Sequence, residues 1–383
     1  MKRILILTSL YTGHGHKSVS DALVERFEQY EDIEVRAVDG FELMNKVEQY
    51  MGERTYGPIT RMPGRAWEWN YAAGRKLQKP VTRIISALIH AKLMELLTAF
   101  KPDVIISVHP MFNGSVLGVL EKEGLNIPLI AHEVDLVDIV DYWFDPRIDL
   151  TLAPSKESYD YTIAHGVPAE KIAQVGFPVR RRFIDARPIP HDGTVITVMS
   201  GSEGSGTLYA IAGALLKHTN AKINVICGRN KKVRKQLKRR FARKYKERLS
   251  VMGFVSDIEK IMAASDLLIM RASPNSVMEA VAMRVPIIVF GQLAGQEKHN
   301  PDVLVAHGLA VYCPEISDLP DCTAALLANG GLQAEIMREM QRIFAPTDAA
   351  DETAKLIHDW IDSFDFQMEC GIPSIDATIC VTN

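Results

Sequence analysis

A glycine-rich turn near the N-terminus contains the first residues that could do chemistry. It reads Thr12-Gly13-His14-Gly15-His16-Lys17-Ser18 and joins a short apolar run to an amphipathic stretch. Glycines allow the backbone to approach a ligand closely, and the N–H groups at a helix start favour a phosphate or a sugar hydroxyl. The helix dipole lowers the pKa of an imidazole there, so we predict that His16 is neutral and can act as a base. A tight structural turn with surface histidines would show the same pattern.

A second glycine-rich turn lies at the equivalent position of the second half of the chain. It reads Ser200-Gly201-Ser202-Glu203-Gly204-Ser205-Gly206 and precedes a helix predicted to start near Thr207. Ligands of parallel sheets bind at the carboxyl ends of the strands, where both turns are expected. Two such turns therefore indicate ligand binding more strongly than either alone, and we expect them to face one another.

A third polar turn, Arg271-Ala272-Ser273-Pro274-Asn275-Ser276, precedes a helix that contains Glu279. Its Ser273 to Ser276 part could cap the helix and present N–H groups and hydroxyls to a pyrophosphate, while Glu279 could accept both hydroxyls of a ribose. An N-capped core helix in which Glu279 favours the dipole is the structural alternative. A further polar loop, Gly295-Gln296-Glu297-Lys298-His299-Asn300, follows the next predicted strand.

The elements that must position these turns alternate between short apolar runs and amphipathic stretches, which predicts α/β domains with parallel sheets. The pattern restarts after a polar, Pro- and Arg-rich stretch at 178–193. We predict an N-terminal domain, a linker, a C-terminal domain, a helix that could pack back on the N-terminal domain, and a tail without a functional assignment. Their ranges are 1–180, 181–192, 193–348, 349–366 and 367–383.

Composition excludes several classes of protein. The 383 residues carry a formal charge of −3 and are 47% hydrophobic, which is typical of globular domains and gives no bulk attraction to nucleic acid. The five cysteines form no CxxC pair, which favours reduced cytosolic thiols over disulfides or a metal site. No apolar run is long enough to span a membrane, and the first one is too short for a signal peptide.

Two basic segments are candidates for contact with anionic surfaces. In the first, basic and aromatic side chains alternate, which suits a lipid headgroup interface, and each basic residue is worth about 1 kcal/mol there. Its members include Arg61, Arg65, Trp67, Trp69, Arg75 and Lys76. The alternative is an irregular exposed insertion with its aromatic residues in the core. The second segment, 231–248, is predicted to be a solvated surface helix, with membrane or phosphate contact as the lesser alternative.

With these residues assembled, the chain resembles the family 28 glycosyltransferases of the monogalactosyldiacylglycerol synthase and processive diacylglycerol glucosyltransferase branch. The resemblance runs from residue 4 to about residue 311. It implies the GT-B architecture, with two Rossmann-like domains facing each other across a cleft, the donor nucleotide on the C-terminal domain and the acceptor on the N-terminal one. The matching pieces are 13–16, 107–110, 176–179, the Gly201 loop, 227–232, 253–254, 274–279 and 294–300.

The resemblance also implies roles for single residues. The backbone of Phe254 would hold uracil and Glu279 would hold the ribose. Residues that would hold the pyrophosphate are Gly201, Ser202, Glu203, Gly204, Pro274, Asn275 and Ser276, and those for the hexose and its phosphate are Gln296, Glu297 and Asn300. On the acceptor side, His16 corresponds to the histidine usually proposed to deprotonate the acceptor hydroxyl, and the accompanying loop residues are Gly13, Gly15 and His109.

Two motifs depart from the family pattern. The turn at 271–276 loses two glycines that let the backbone approach phosphates, at Ser273 and Asn275, although Asn tolerates left-handed φ. The Thr-Asp pair usual after the third strand is altered to His132-Glu133-Val134-Asp135. Asp135 is our candidate for the carboxylate that assists His16.

These roles imply direct displacement at the anomeric carbon with inversion, in which His16 takes the proton of a glycerol hydroxyl as UDP departs. The helix after Ser276, the Gly201 loop and Arg229 would meet the charge on UDP, so we expect neither a metal nor a cofactor.

The expected partners are UDP-glucose or UDP-galactose, diacylglycerol and an anionic membrane surface at its cytoplasmic face, and no nucleic acid is expected. The alternatives are another lipid acceptor of the undecaprenyl-linked peptidoglycan precursor type, and a UDP-sugar sensor without turnover. The donor sugar, the number of sugars added and the oligomeric state stay open.

Overall fold

The computed structural model describes residues 1–10, 15–44, 64–201, 204–292, 297–345 and 347–370; within these, the side chains of 64–77, Asn329 and 364–370 are outside the description. The chain divides into two compact units. The N-terminal unit contains Met1–Arg180 and the segment from Asp348 onward. The C-terminal unit contains Arg181–Leu293 and Glu297–Thr347.

The N-terminal unit is built on a six-stranded parallel sheet with the strand order β2-β1-β3-β4-β5-β6. Its strands are β1 (Lys2–Thr8), β2 (Ile33–Asp39), β3 (Val104–Ser107), β4 (Leu129–His132), β5 (Leu150–Ala153) and β6 (Ile172–Gln174). The helices that connect them are α1 (Gly15–Phe27), α2 (Gly64–Phe100), α3 (Pro110–Glu123) and α4 (Lys156–Ala164). Short 3₁₀ turns lie at Gly40–Leu43, Asp141–Trp143 and Ala169–Lys171.

The C-terminal unit contains a second six-stranded parallel sheet, with the order β12-β11-β10-β7-β8-β9. Its strands are β7 (Val195–Met199), β8 (Lys222–Ile226), β9 (Leu249–Met252), β10 (Leu267–Arg271), β11 (Ile287–Gly291) and β12 (Val311–Tyr312). Its helices are α5 (Arg181–Ile184), α6 (Thr207–His218), α7 (Lys231–Leu237), α8 (Ile258–Ala263), α9 (Pro274–Ala282), α10 (Asn300–Ala306), α11 (Leu319–Leu327) and α12 (Leu332–Phe344). The predicted α/β class with two parallel-sheet domains is confirmed.

The strands form where the sequence has short, uninterrupted apolar runs. Ile4, Leu5, Ile6 and Leu7 of β1 are all fully buried. Strands of parallel sheets are covered by helices on both faces, so a continuous apolar run rather than an alternating one is favoured. The edge strand β2, which pairs only with β1 among the described strands, has several exposed residues. The eight inner strands therefore differ from their predictions only at their ends, whereas the four edge strands, β2, β6, β9 and β12, were not predicted.

The last described helix, α13 (Ala349–Cys370), packs on α1 in the N-terminal unit. The contact is built around Arg26, whose side chain is only 1% exposed and forms ion pairs with Asp348 at 2.6 Å and Asp351 at 2.8 Å. A buried guanidinium needs such partners, because an unpaired charge inside a protein is strongly destabilising. Residues 181–192, predicted to be a linker, belong to the C-terminal unit, where Ile189 N–H donates to the Ala263 carbonyl.

The largest difference between prediction and structure is α2, a helix of 37 residues that contains Pro80. A proline usually ends or kinks a helix, and no continuous helix was predicted for this segment. The backbone of 64–83 is helical, and the alternative of an irregular insertion is therefore wrong for this part. Arg61 lies outside the described residues, and only the backbone is described for Arg65, Trp67, Trp69, Arg75 and Lys76. Within the described chain, no helix combines the length and apolarity needed to cross a membrane.

Candidate active site

His16 lies at the start of α1, where β1 and its neighbour β3 end at the same edge of the sheet. Its Nδ1 lies 2.7 Å from the carbonyl oxygen of Val108, which directly follows β3. A carbonyl oxygen only accepts hydrogen bonds, so Nδ1 carries the hydrogen in the neutral ring and Nε2 carries the lone pair. The fold thus selects the tautomer in which Nε2 is able to accept a proton.

Burial keeps the His16 ring neutral. It lowers the pKa of His16 to about 4, although the hydrogen bond to Val108 acts in the opposite direction. The predicted neutral state therefore has a different principal cause from the helix dipole, namely the removal of the ring from water. At neutral pH almost every molecule holds His16 in the form needed of a general base.

His109 lies beside His16, with the ring centroids 4.4 Å apart. It is the N-cap of α3, and its Nδ1 accepts from the backbone N–H of Met111 at 3.3 Å. Nε2 of His109 therefore carries the hydrogen in the neutral ring, so the two histidines hold opposite tautomers. Burial, with a smaller contribution from His16, holds the pKa of His109 well below its usual value. Phe41 and Phe112 pack against His109 and make the surroundings apolar.

Among the described residues, His16 forms no hydrogen bond or ion pair with an acidic residue after β4. Asp135 accepts a hydrogen bond from the indole N–H of Trp143 at 3.2 Å. The His16 nitrogen that an assisting carboxylate would contact, Nδ1, is bonded to Val108 instead. We therefore assign the orientation of His16 to a backbone carbonyl, and a catalytic role for Asp135 stays a prediction.

Glu133 is fully buried and accepts a hydrogen bond from the Thr162 hydroxyl at 2.7 Å. Burial raises its pKa to about 8, so the carboxyl is mainly protonated at neutral pH. The neighbouring His132 is also buried, and its Nδ1 donates to the Glu133 carbonyl at 2.8 Å. Burial lowers the pKa of His132 to about 4. The altered His132-Glu133 pair is thus an uncharged core feature at neutral pH.

The glycine-rich turn of the C-terminal unit is held against the loop that follows β8. Gly201 and Gly204 have φ angles of +66° and +64°, which residues other than glycine rarely adopt. A β-carbon on Gly204 would lie 2.1 Å from the Cys227 carbonyl oxygen, so only glycine fits there. The Asn230 amide donates to the Gly204 carbonyl at 3.1 Å. Ser202 and Glu203 lie outside the described residues, as does Gly13 in the first turn, whereas Gly15 begins α1.

Arg229 and Phe254, predicted from separate motifs, lie together. The Arg229 guanidinium carbon is 5.4 Å from the centre of the Phe254 ring, a cation–π distance. Phe254 is 52% exposed, which is unusual for a large apolar side chain. Strands β8 and β9 are neighbours, so their carboxyl ends bring the two residues to one part of the sheet edge. An exposed ring beside a cation suits a planar base near a charged group.

The turn after β10 leads into α9 with Pro274 in the first helical turn. Ser273 occupies the N-cap position, but its side chain makes no capping hydrogen bond, so the expected side-chain cap is wrong. Helix N-termini leave N–H groups that an anion can bind. Glu279 is only 8% exposed, and its predicted contact with ribose stays a prediction, as do those of Asn275 and Ser276.

The polar loop before α10 supports the turn after β10. Asn300 is fully buried, and its amide donates to the Ala272 carbonyl at 2.9 Å. This bond lets Asn300 support the turn, and its predicted contact with the hexose stays a prediction. Glu297 is also buried and forms an ion pair with Arg271, with Nε and Oε2 3.1 Å apart. Gln296 lies outside the described residues. Arg271 is a residue of this site that motif reasoning did not assign.

Comparison with known proteins defines the class of both units. Residues 195–355 match the glycosyltransferase family 28 C-terminal domain, so the C-terminal unit is that of a glycosyltransferase. Residues 16–179 match the monogalactosyldiacylglycerol (MGDG) synthase family. The chain therefore combines an MGDG synthase domain with a glycosyltransferase family 28 C-terminal domain.

Individual relatives agree with this assignment. The chain is 27% identical to monogalactosyldiacylglycerol synthase 1 of Arabidopsis thaliana over 389 residues, which cover 94% of this chain and 70% of the relative. It is 24% identical to a processive diacylglycerol beta-glucosyltransferase of Bacillus cytotoxicus, with 91% of both chains covered. The crystal structure of Acinetobacter baumannii MurG superposes with a TM-score of 0.62 at 16% identity and covers 94% of this chain and 100% of MurG, which confirms the GT-B fold.

Proposed function

We propose that this protein transfers a hexose from a UDP-sugar to diacylglycerol with inversion at the anomeric carbon. The single observation that carries the proposal is the His16 ring, which is neutral, has its lone pair on Nε2 and lies at the carboxyl edge of the N-terminal sheet. The names of the relatives, which include MGDG synthases and a diacylglycerol glucosyltransferase, support diacylglycerol over an undecaprenyl-linked acceptor.

The proposed step begins with the acceptor hydroxyl. Nε2 of His16 takes the proton of a glycerol hydroxyl while the hydroxyl oxygen forms a bond to the anomeric carbon. The bond between that carbon and the UDP oxygen breaks, and UDP leaves with its electron pair. Because the pKa of His16 is about 4, the protonated ring then passes its proton readily to water or buffer. A positioned base contributes about 10² to 10⁴ in rate.

We assign the stabilisation of the charge on the departing UDP to the C-terminal unit. The α9 N-terminus, the backbone of the Gly201 loop and Arg229 are the groups we propose to stabilise it, and no metal is required in this scheme. Phe254 beside Arg229 is the proposed site for uracil. Glu279 is the proposed partner of the ribose.

Membrane attachment is proposed for the basic part of α2 and the residues before it. The described end of this segment supports it, because Lys79 and Arg83 are exposed and Ile84 is 59% exposed. Cations beside an exposed apolar side chain suit an anionic bilayer surface. We propose the cytoplasmic face as the site of attachment.

The proposal is tested by product analysis. Purified protein is incubated with diacylglycerol in anionic mixed micelles and with UDP-glucose or UDP-galactose, and the lipids are resolved by chromatography and mass spectrometry. A hexosyl-diacylglycerol from either donor is expected. UDP binding without any hexosyl lipid or released hexose, across diacylglycerol and undecaprenyl acceptors, would contradict it and favour a sensor.

A further inference from the structure

Arg271 lies beside the glycine-rich loop of the C-terminal unit. It is the last residue of β10, whose neighbour β7 leads directly into this loop. A β-carbon placed on Gly201 would lie 3.6 Å from Nη2 of Arg271. Three residues further along the chain, Pro274 begins α9. We propose that the Gly201 loop and the N-terminus of α9 bind the diphosphate. The guanidinium thus lies next to the first of these and close in sequence to the second.

Glu297 holds one edge of this guanidinium. Its Oε2 lies 3.1 Å from Nε of Arg271, and its Oε1 lies 3.4 Å from Nη2. Glu297 is buried, so the pair is anchored to the core, whereas the Arg271 side chain remains 25% exposed. A guanidinium is planar and has a second edge, formed by Nη1 and Nη2, that can bind an oxyanion with two N–H groups.

The second edge is available in the part of the chain that the structure describes. Nη1 of Arg271 makes no hydrogen bond or ion pair with any of those residues. Ser200, the residue before Gly201, is only 3% exposed, and its hydroxyl has no hydrogen-bond partner among the described residues. Buried hydroxyls are normally hydrogen-bonded, so an unpartnered one directly before Gly201 is a second indication of a ligand oxygen at this loop.

We infer that Arg271 binds the diphosphate of the nucleotide-sugar donor with its outer edge while Glu297 orients the other edge. The inference rests on the proposed transferase function and adds a cation to the donor site. It also explains how a turn that has lost glycines retains an anion site, because a side chain that reaches the phosphates can replace close approach of the backbone.

The test is calorimetric titration of the intact protein with UDP, UMP and uridine. We expect Arg271→Ala to weaken UDP binding by about tenfold or more, since a charge-assisted hydrogen bond is lost, and to leave uridine binding unchanged. Arg271→Lys should recover part of the loss, because lysine keeps the charge but lacks the paired N–H groups of the guanidinium. Arg342→Ala, which removes a cation from an exposed ion pair with Glu339 in the same unit, is the control and should have no effect.

The outcomes separate the possible failures. Equal losses for UDP and uridine in both Arg271 variants would show that Arg271 only maintains the structure, and an unchanged UDP affinity would show that it does not contact the diphosphate. Either result overturns the inference and leaves the proposed function standing. Failure of the unaltered protein to bind UDP would overturn the proposed function and the inference together.

Discussion

The start of α1 and the carboxyl edge of the C-terminal sheet present opposite electrostatic environments on the same kind of scaffold. Around His16, packing and burial remove charge, and both histidine rings are neutral at pH 7. At the other edge, the guanidinium group of Arg229 lies over the Phe254 ring and that of Arg271 lies beside Gly201. A base must have its lone pair free, whereas a leaving diphosphate needs cations and N–H groups. Loops after parallel strands can thus differ in polarity in the way that the two proposed tasks require.

The largest expected effect is that of removing the proposed base, His16. We expect His16→Gln to lower the transfer rate by about 10² to 10⁴, because the variant cannot accept a proton. His218→Gln, which changes an exposed histidine in the last turn of α6, is the matched control and should leave the rate unchanged. Initial rates with saturating donor measure the effect. A His16→Gln rate close to that of the control would exclude His16 as the base.

The pH dependence of transfer sharpens the account of His16. Burial lowers its pKa to about 4, so the unprotonated form is lost only as the pH falls through that value. We expect kcat/KM to stay level from pH 7 down to about pH 5 and to fall below that. An acidic limb centred near 6.5 would mean that the ring is hydrated rather than buried.

The backbone geometry of Gly204 can be tested in the C-terminal unit by adding a side chain. We expect Gly204→Ala to lower the free energy of unfolding by about 1–3 kcal/mol, because its positive φ and the nearby Cys227 carbonyl both oppose a side chain. UDP affinity should fall as well. Gly206→Ala is the control, since a β-carbon there meets nothing within 4 Å. Thermal unfolding compares the two variants, and equal stability would contradict the close contact of the two loops.

The uncharged character of the N-terminal core can be tested at Glu133. Burial raises its pKa to about 8, so the folded state binds the proton more tightly than the unfolded state does. Its contribution to stability is complete below pH about 4.5 and is lost as the pH rises through about 8. We expect Glu133→Gln to be more stable relative to the native protein at pH 9 than at pH 5, by about 1 kcal/mol or more.

Denaturant unfolding at both pH values measures this difference, with Glu170→Gln, an exposed residue, as the control. Parallel changes in the native protein and the Glu133→Gln variant would indicate that Glu133 ionises normally in the folded state.

The smallest expected effect concerns Glu297. If it orients Arg271, Glu297→Gln should weaken UDP binding a few-fold, because the amide keeps one contact but loses the charge, a change of about 0.5–1.5 kcal/mol. If it binds the hexose, as the resemblance implies, the affinity for the UDP-sugar should fall while that for UDP does not. Titrations with UDP and with the UDP-sugar distinguish the two roles.

The eight inner strands could be predicted from sequence because they are uninterrupted apolar runs, such as 4–7 and 267–270, that are buried on both faces. The edge strands β2, β6, β9 and β12 were not predicted. The helix α2 could not be predicted, because Pro80 ordinarily ends a helix and its packing against α3 is a tertiary contact. The loops of the site could be predicted from their glycines, because a backbone with positive φ strongly favours glycine at that position.

The partners of the site residues were harder to predict. The carbonyl that orients His16 belongs to Val108, and any residue type could supply a carbonyl there. Arg271 and Glu297 are 26 residues apart in the chain and meet only because β10 and β11 are adjacent strands. Neutrality of His16 was predicted from the helix dipole, whereas the larger effect is burial by residues distant in sequence.

The most direct test of the comparison measures UDP affinity and transfer rate side by side for His16→Gln and Arg271→Ala. We expect His16→Gln to keep its UDP affinity and lose transfer, because the base is not part of the donor site. Arg271→Ala should lose UDP affinity, and raising the donor concentration should recover part of its transfer rate. Equal loss of both properties in both variants would contradict the division of base and diphosphate binding between the two units.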